Sequence, residues 1–465
     1  MPQSSPQALL VMLCWIPAIV YIFMRFPPQR AVIVSFIVAW LYLPVCFFPL
    51  PGIPDLSKMS ATCYGVLLAT VIFDVGRIFS FRLGWLDLPM LIWCLCPFAS
   101  SMSNGLGAYD GFASSLDQTM TWGAPYFLGR IYLNNLAGLR QLAIGVFVGG
   151  LTYVPLCLIE GRISPQLHRW VYGYHASVDF SQAYRLGGYR PTVFMNHGLA
   201  VGAWMMAATL AGIWLWKTGG LKQLWDIPIN WLVTVLIITF VLCRSTGAYI
   251  LLGMGIIILF TAKWFRTALP LLLLIVSMCT YLYVNAMTET YFTDQLISSM
   301  SKVFPEDRVA SVEFRFNNEE MLADKARQRI VFGWGGFGRN RVYERNWEGK
   351  LEDVSVTDSL WIIAFGVNGI VGLSSITASM LLPVASLFVL RYPASSWSHR
   401  KVAPVAVLAV ILTLYMLDCI LNAMTNPIFA LTSGGISGLV LNETATNQAT
   451  GDRSSVPRRS LAQQR

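Results

Sequence analysis

Arg244 lies in Cys243-Arg-Ser-Thr-Gly247, a short connection between two apolar runs with no acidic residue beside it. A guanidinium is permanently charged and meets phosphate oxygens through two-pronged hydrogen bonds. Two flanking helices would hold this one at a membrane surface, with Gly247 allowing a tight turn, at the depth of a lipid phosphate. A terminal arginine can also snorkel to the interface and bind nothing. The shortness of the turn favours a ligand, because ionisable groups at membrane depth are functional candidates by default.

Three further stretches carry chemistry. Residues 160–197 hold Arg162, Arg169, Arg185 and Arg190, the histidines His168, His175 and His197, and several aromatic rings. Such a mixture suits a ligand with anionic groups and sugar or lipid faces. The alternative is a structured loop whose arginines pair with Glu160 and Asp179. The mixed-charge stretch from Glu306, with Arg315 inside it, has helical spacing and predicts a surface helix of roughly 25 residues. It runs into Gly333-Trp-Gly-Gly-Phe-Gly338, a turn-rich loop with no strand before it and therefore no dinucleotide fingerprint. Asp358 then opens an apolar helix, where it is an N-cap or first-turn residue. A carboxylate at that point can also accept a proton from a substrate hydroxyl.

The elements that must position these residues are set by composition. The chain has 465 residues, 55% hydrophobic and only 12% charged. A soluble domain carries about a quarter charged residues, so this is the balance of a polytopic membrane protein. Windows of about 20 apolar residues recur along the chain, each long enough to cross a hydrocarbon core as a helix. The net charge of +9 is accounted for by cytoplasmic loops, and no basic run with interleaved aromatics suggests nucleic acid. The nine cysteines sit in or beside apolar segments and form neither a disulfide framework nor a zinc cluster, so no metal site is expected. MPQSSPQ lacks the basic region of a signal peptide, and residues 8–24 read as a retained helix.

Hydropathy and breaker residues place spans at about 8–24, 31–49, 61–78, 88–104, 113–129, 139–158, 192–216, 227–243, 246–262, 267–286, 366–390 and 403–424. The fold class is therefore all-α: a polytopic transmembrane bundle of about 12 helices with a long, partly helical external loop. Residues 1–441 form the membrane domain, with external loops at about 160–191 and 287–365; residues 442–465 read as a disordered polar tail. The piece 427–441 crosses or re-enters. Arg25/Arg30, Arg77/Arg82, Arg130/Arg140, Lys217/Lys222, Lys263/Arg266 and Arg391/Arg400/Lys401 fall on alternate connections, which the positive-inside rule assigns to the cytoplasm. Arg190, Arg244 and Arg315 then share the external face, against that rule, and need another reason to be there.

The order of these pieces resembles the bacterial O-antigen ligase and O-antigen polymerase superfamily. The matching residues are Arg244-Ser-Thr-Gly-Ala248, Arg315, Gly333-Trp-Gly-Gly-Phe-Gly338, and Asp358 followed by Gly366-Val-Asn-Gly-Ile-Val-Gly-Leu373. Tyr189-Arg-Pro-Thr-Val-Phe-Met-Asn-His197 is similar to that superfamily's way into a span, without its glycine. The resemblance covers about residues 185–380. It implies a multi-pass protein of the bacterial inner membrane that transfers glycan from an undecaprenyl-diphosphate carrier to a hydroxyl acceptor at the periplasmic face, with no cofactor and no metal. Arg244, Arg315 and Arg190 would hold the diphosphate, and Asp358, with His197 as the alternative, would serve as the base. Ligases usually carry histidine where Asp358 stands, which tilts the reading toward a polymerase. The implied partners are the lipid-linked glycan, a glycan, lipid or protein acceptor, membrane lipids and a chain-length regulator, with no nucleic acid. Two other classes remain open: a transporter or flippase for an anionic lipid or solute, with Asp74, Asp418 and Asn422 as its mid-span polar residues, and a non-catalytic component of a polysaccharide assembly machine.

Overall fold

The computed structural model describes residues 5–50, 54–177, 183–288, 298, 301, 306–336 and 338–454, of which 306–308, 310–312 and 443–454 as backbone only. In chain order the helices are α1 (Pro6–Arg25), α2 (Pro28–Tyr42), α3 (Lys58–Phe73), α4 (Val75–Ser80), α5 (Leu88–Ser103), α6 (Ala108–Gln118), α7 (Ala124–Tyr132), α8 (Leu136–Ile163) and α9 (Leu167–Tyr172). They continue with α10 (Gly198–Lys217), α11 (Ile229–Leu242), α12 (Thr246–Phe265), α13 (Leu269–Met287), α14 (Glu306–Arg327), α15 (Leu360–Ser386), α16 (Ala403–Leu421) and α17 (Pro427–Ser454). Strand is confined, among the described residues, to three two-stranded hairpins. Eight helical segments are long and apolar enough to cross a membrane: α1, Trp85–Ser103, α8, α10, α12, α13, Leu360–Arg391 and α16. Four shorter apolar helices, α2, α3, α11 and Pro427–Asn442, lie among them. The architecture is that of an all-α, multi-pass membrane protein.

Helices that are apolar on every side belong in the middle of a bundle. α10 and α16 are such helices, and they are the most enclosed of the eight. α1, α12 and α13 are the least enclosed and turn residues such as Leu10, Ile257 and Val276 outward, as lipid-facing helices do. α17 packs along α7 at backbone contact. A Cβ added to Gly129 would stand 2.1 Å from the Leu431 carbonyl, and one on Gly434 1.8 Å from that of Tyr126. Small residues let membrane helices approach this closely. The segment 427–441 lies against the bundle from Asn426 beside Tyr415 to Leu441 against Gly84. Its backbone stays helical through Ser454, beyond residue 442 where the sequence predicts an unstructured tail.

One end of the bundle is closed by a buried ion pair. Arg130 donates to Asp87 from Nε (2.7 Å) and Nη2 (3.0 Å), and Tyr126 donates to the same carboxylate at 3.0 Å. At the other end the long connections gather. Two of them interlock through α15, which is interrupted at Gly369 (φ +66°, ψ −164°), a conformation only glycine adopts readily. The freed backbone is taken up by the segment after α14: Trp334 N–H donates to Gly366 O at 2.9 Å, Gly335 N–H to Val367 O at 3.0 Å, and Ile370 N–H to Ile330 O at 2.7 Å. Ser100 and Asn104 of the α5 end complete the joint by donating to Val367 O (2.8 Å) and Gly333 O (2.9 Å). The glycine-rich loop is therefore a plug in a broken helix, and it fixes α14 against the bundle.

Candidate functional site

The connection after α8 is built around two buried polar side chains. Glu160 accepts from the backbone amides of Leu167 (2.9 Å), Thr192 (2.8 Å) and Val193 (2.7 Å). His168 bonds the Tyr174 carbonyl through Nδ1 (2.7 Å) and accepts from Val45 N–H through Nε2 (3.1 Å). Both are structural. Glu160 serves backbone amides rather than the arginines of its loop, and Asp179 lies outside the described residues. The loop then forms a hairpin, Tyr184–Arg185 with Gly188–Tyr189, that delivers Arg190 to the turn between α11 and α12.

Arg190 and Arg244 meet at that turn. Arg244 adopts φ +53°, and Gly188 lies so close that a Cβ there would stand 1.4 Å from Arg244 Nη1. Only glycine leaves room for the guanidinium. Arg190, 2% exposed, donates from Nη2 to Ser245 Oγ at 3.0 Å. Its Nε and Nη1, and Nη1 of Arg244, are buried without a hydrogen-bond partner among the described residues. Burial, and next the like charge of Arg185, push Arg190 down to about 10, which still leaves it cationic at neutral pH. Guanidinium nitrogens without partners, close to other arginines, concentrate positive charge at this turn.

Two carboxylates complete the cluster. Asp418, in the last turn of α16, is oriented by Asn422 Nδ2 (2.9 Å) and interacts electrostatically with both Arg190 and Arg315. Arg315 therefore approaches the same point from α14. One turn further along α14, Glu319 accepts from Tyr281 Oη (3.2 Å) and Trp361 Nε1 (3.3 Å). Burial pushes Glu319 up to about 7, against the pull of those bonds, of Ser359 and of Arg315. α14 is held for this purpose at both faces. Arg327 donates to the Asn285 (3.1 Å) and Thr288 (3.0 Å) carbonyls at the end of α13, and Asn318 accepts from Val356 N–H at 2.9 Å.

The remaining sequence-predicted residues lie around this cluster. Ser359, not Asp358, occupies the N-cap position of α15; Asp358 stands one residue earlier, exposed, next to the Ser359–Glu319 contact. The helix begins at Leu360 because the Asn318–Val356 bond keeps the preceding residues extended along α14. His197 caps α10, its Nδ1 accepting from Leu199 N–H at 3.0 Å. It shares with Arg190, His168 and His175 a pocket of about 30 Å³, room for a water or two. Among the described residues no three His, Cys, Asp or Glu side chains group as a metal site. Glu319 was not legible as a site residue, and Asp418 was singled out only as a mid-span polar residue of the transporter reading, not as a partner of these arginines. The Arg315–Glu319 spacing of four on a predicted helix was the available signal for the first; Asp418 offered only its place near the end of a span. In comparison with known proteins, the chain matches no family model and no curated protein.

Proposed function

We propose that the chain is an inner-membrane glycosyltransferase of the O-antigen polymerase or ligase type, passing glycan from a polyprenyl-diphosphate carrier to a hydroxyl acceptor. The observation that carries this reading is the convergence of Arg190, Arg244 and Arg315, from three distant segments, with guanidinium nitrogens left bare at one end of the bundle. The acceptor oxygen attacks the anomeric carbon, the bond from that carbon to the diphosphate oxygen breaks, and the leaving diphosphate takes the electron pair. It departs as an anion that needs charge neutralisation rather than a proton, and fixed guanidinium groups supply it. The acceptor's proton passes to a carboxylate. Glu319, raised toward neutrality beside Arg315, has the basicity for this, and Asp358 stands exposed at the margin as the alternative.

In this reading the four shorter apolar helices also cross the membrane, the arginine cluster faces the periplasm, and the lysine- and arginine-bearing alternate connections face the cytoplasm. Purified protein incubated with a polyprenyl-diphosphate oligosaccharide in the presence of EDTA should release polyprenyl diphosphate and extend or relocate the glycan. A longer glycan on the same carrier marks a polymerase and glycan on a second lipid or protein marks a ligase. No product from a folded sample, under conditions where the carrier binds, defeats the proposal. A transporter is the second reading, favoured by the helix broken at Gly369. Its weakness is that the freed backbone groups are bonded to residues 330–335 rather than open to a solute.

A further inference from the structure

On the face of α14 turned away from Tyr281 lies a second, larger cavity that plays no part in the scheme above. It is an open cleft of about 770 Å³ between α14, the glycine-rich loop and the hairpin Tyr343–Arg345/Leu351–Asp353. That size is within the usual range of small-molecule sites, roughly 300–1,000 Å³. Asn317, Glu320 and Gln328 line it from α14; Trp334, Arg341 and Tyr343 face them. Arg341 is held there by Asp353 and Asp324 by Arg327, while the amides of Asn317 and Gln328 carry both donors and acceptors, as a ligand rich in hydroxyl groups requires. Two carboxylates, Glu320 and Asp324, stand against three cations, Lys325, Arg339 and Arg341, so the lining is close to neutral where the arginine cluster is not.

The aromatic side of the cleft is fixed in advance. Trp334 donates from Nε1 to Lys325 O at 2.7 Å with Lys325 Nζ 4.0 Å from its ring centre, and Tyr343 Oη donates to Gly338 O at 3.2 Å. Beyond Tyr343, at the hairpin tip, Trp347 is 93% exposed, an apolar ring that no described residue covers. Rings held rigidly at low entropic cost are the surfaces on which pyranose faces stack. Glu320 lines both this cleft and the small pocket that contains Glu319, Tyr281 and Trp361, so the two share a wall on α14.

We infer that this cleft binds a neutral oligosaccharide, making it the site that holds the acceptor glycan. The inference rests on the glycan-transfer reading and names the acceptor for it. Saturation-transfer NMR on the detergent-purified full chain tests it, without any polyprenyl carrier. The probe is the set of neutral oligosaccharides of two to six sugars released by mild acid from the surface polysaccharide of the cell that encodes the chain. Saturation should pass to the oligosaccharide, Tyr343→Ala should weaken binding at least tenfold and Gln328→Ala severalfold, and Arg244→Ala should leave it unchanged. Absence of saturation transfer from the wild type, or undiminished binding by the Tyr343→Ala/Gln328→Ala double variant, overturns the inference. Trp347→Ala, at an exposed tip, gives a third variant free of folding effects; it should lower affinity for the longer oligosaccharides and spare the disaccharide, and equal effects at all lengths also count against the cleft. The two proposals fail separately. Tyr343-dependent binding without any transfer leaves the cleft and removes the transferase, whereas transfer with an unaltered acceptor KM in the double variant removes the cleft and leaves the transferase.

Discussion

Arg130 and Arg190 are both buried arginines, at opposite ends of one bundle, and they are treated in opposite ways. Arg130 meets a two-point carboxylate partner, Asp87, which is itself satisfied by Tyr126 and by Gly84 N–H at 2.8 Å. Arg190 has one hydroxyl partner, a like-charged neighbour in Arg185, and two nitrogens that no described residue meets. A buried charge left this way costs free energy that the chain did not remove. Burial alone therefore does not distinguish a structural arginine from a binding one. The inventory of partners does: it assigns Arg130 to the fold and, under the proposed function, leaves Arg190 for a ligand.

Six variants break or sharpen that contrast. The largest effect is expected from Asp87→Ala, which strands Arg130 in the interior; loss of one member of a buried pair costs about 3–5 kcal/mol. Thermal unfolding of the purified protein should show it as a marked fall in Tm. Next come Arg244→Ala and Arg315→Ala, with transfer slowed by about 10²–10³, or roughly 3–4 kcal/mol in the barrier, and Tm near wild type. Loss of fold in these two would move them to the structural class with Arg130.

Glu319→Gln has a smaller effect with a pH signature. Because the native carboxyl titrates near 7 rather than at its ordinary 4.5, the folded state binds this proton more tightly than the unfolded chain. Its stabilising contribution is complete below about pH 4.5 and is lost as pH rises through 7. The variant should remove that slope, worth on the order of 2 kcal/mol, from a series of melting curves between pH 4.5 and 8. It should also flatten the rise of transfer rate around neutrality if Glu319 is the base. The smallest effect is Arg190→Met. Replacing an unpartnered buried charge by an apolar chain of similar length should leave Tm unchanged or raise it by up to about 1 kcal/mol of stability, whereas Arg130→Met should lower it.

How much of this was legible depended on distance along the chain. Apolar windows marked the spans because hydropathy is local, and the hairpin arginine, the turn arginine and the α14 arginine stood out as charges against the topology rule. The interruption of α15 did not. Residues 360–373 are almost continuously apolar, and the break at Gly369 exists because residues 330–335 supply the missing hydrogen bonds. Glu319 was one acid among several in a polar helix until Tyr281 and Trp361, on two other helices, singled it out. Asp418 read as a mid-span polar residue; its link to Arg190 and Arg315 is made across segments far apart in sequence. The packing of 427–441 was half legible, since Gly434, Gly435 and Gly438 form a small-residue stripe but the sequence does not name α7 as its partner.

The central claim is that the guanidinium groups of Arg190, Arg244 and Arg315 together hold a diphosphate. Isothermal titration of the purified chain with farnesyl diphosphate, repeated at rising salt, tests it most directly. The account predicts saturable binding that weakens with salt and falls at least tenfold on Arg190→Ala, Arg244→Ala or Arg315→Ala. Equal binding by the wild type and the triple alanine variant, or no binding by a folded wild type, would contradict it.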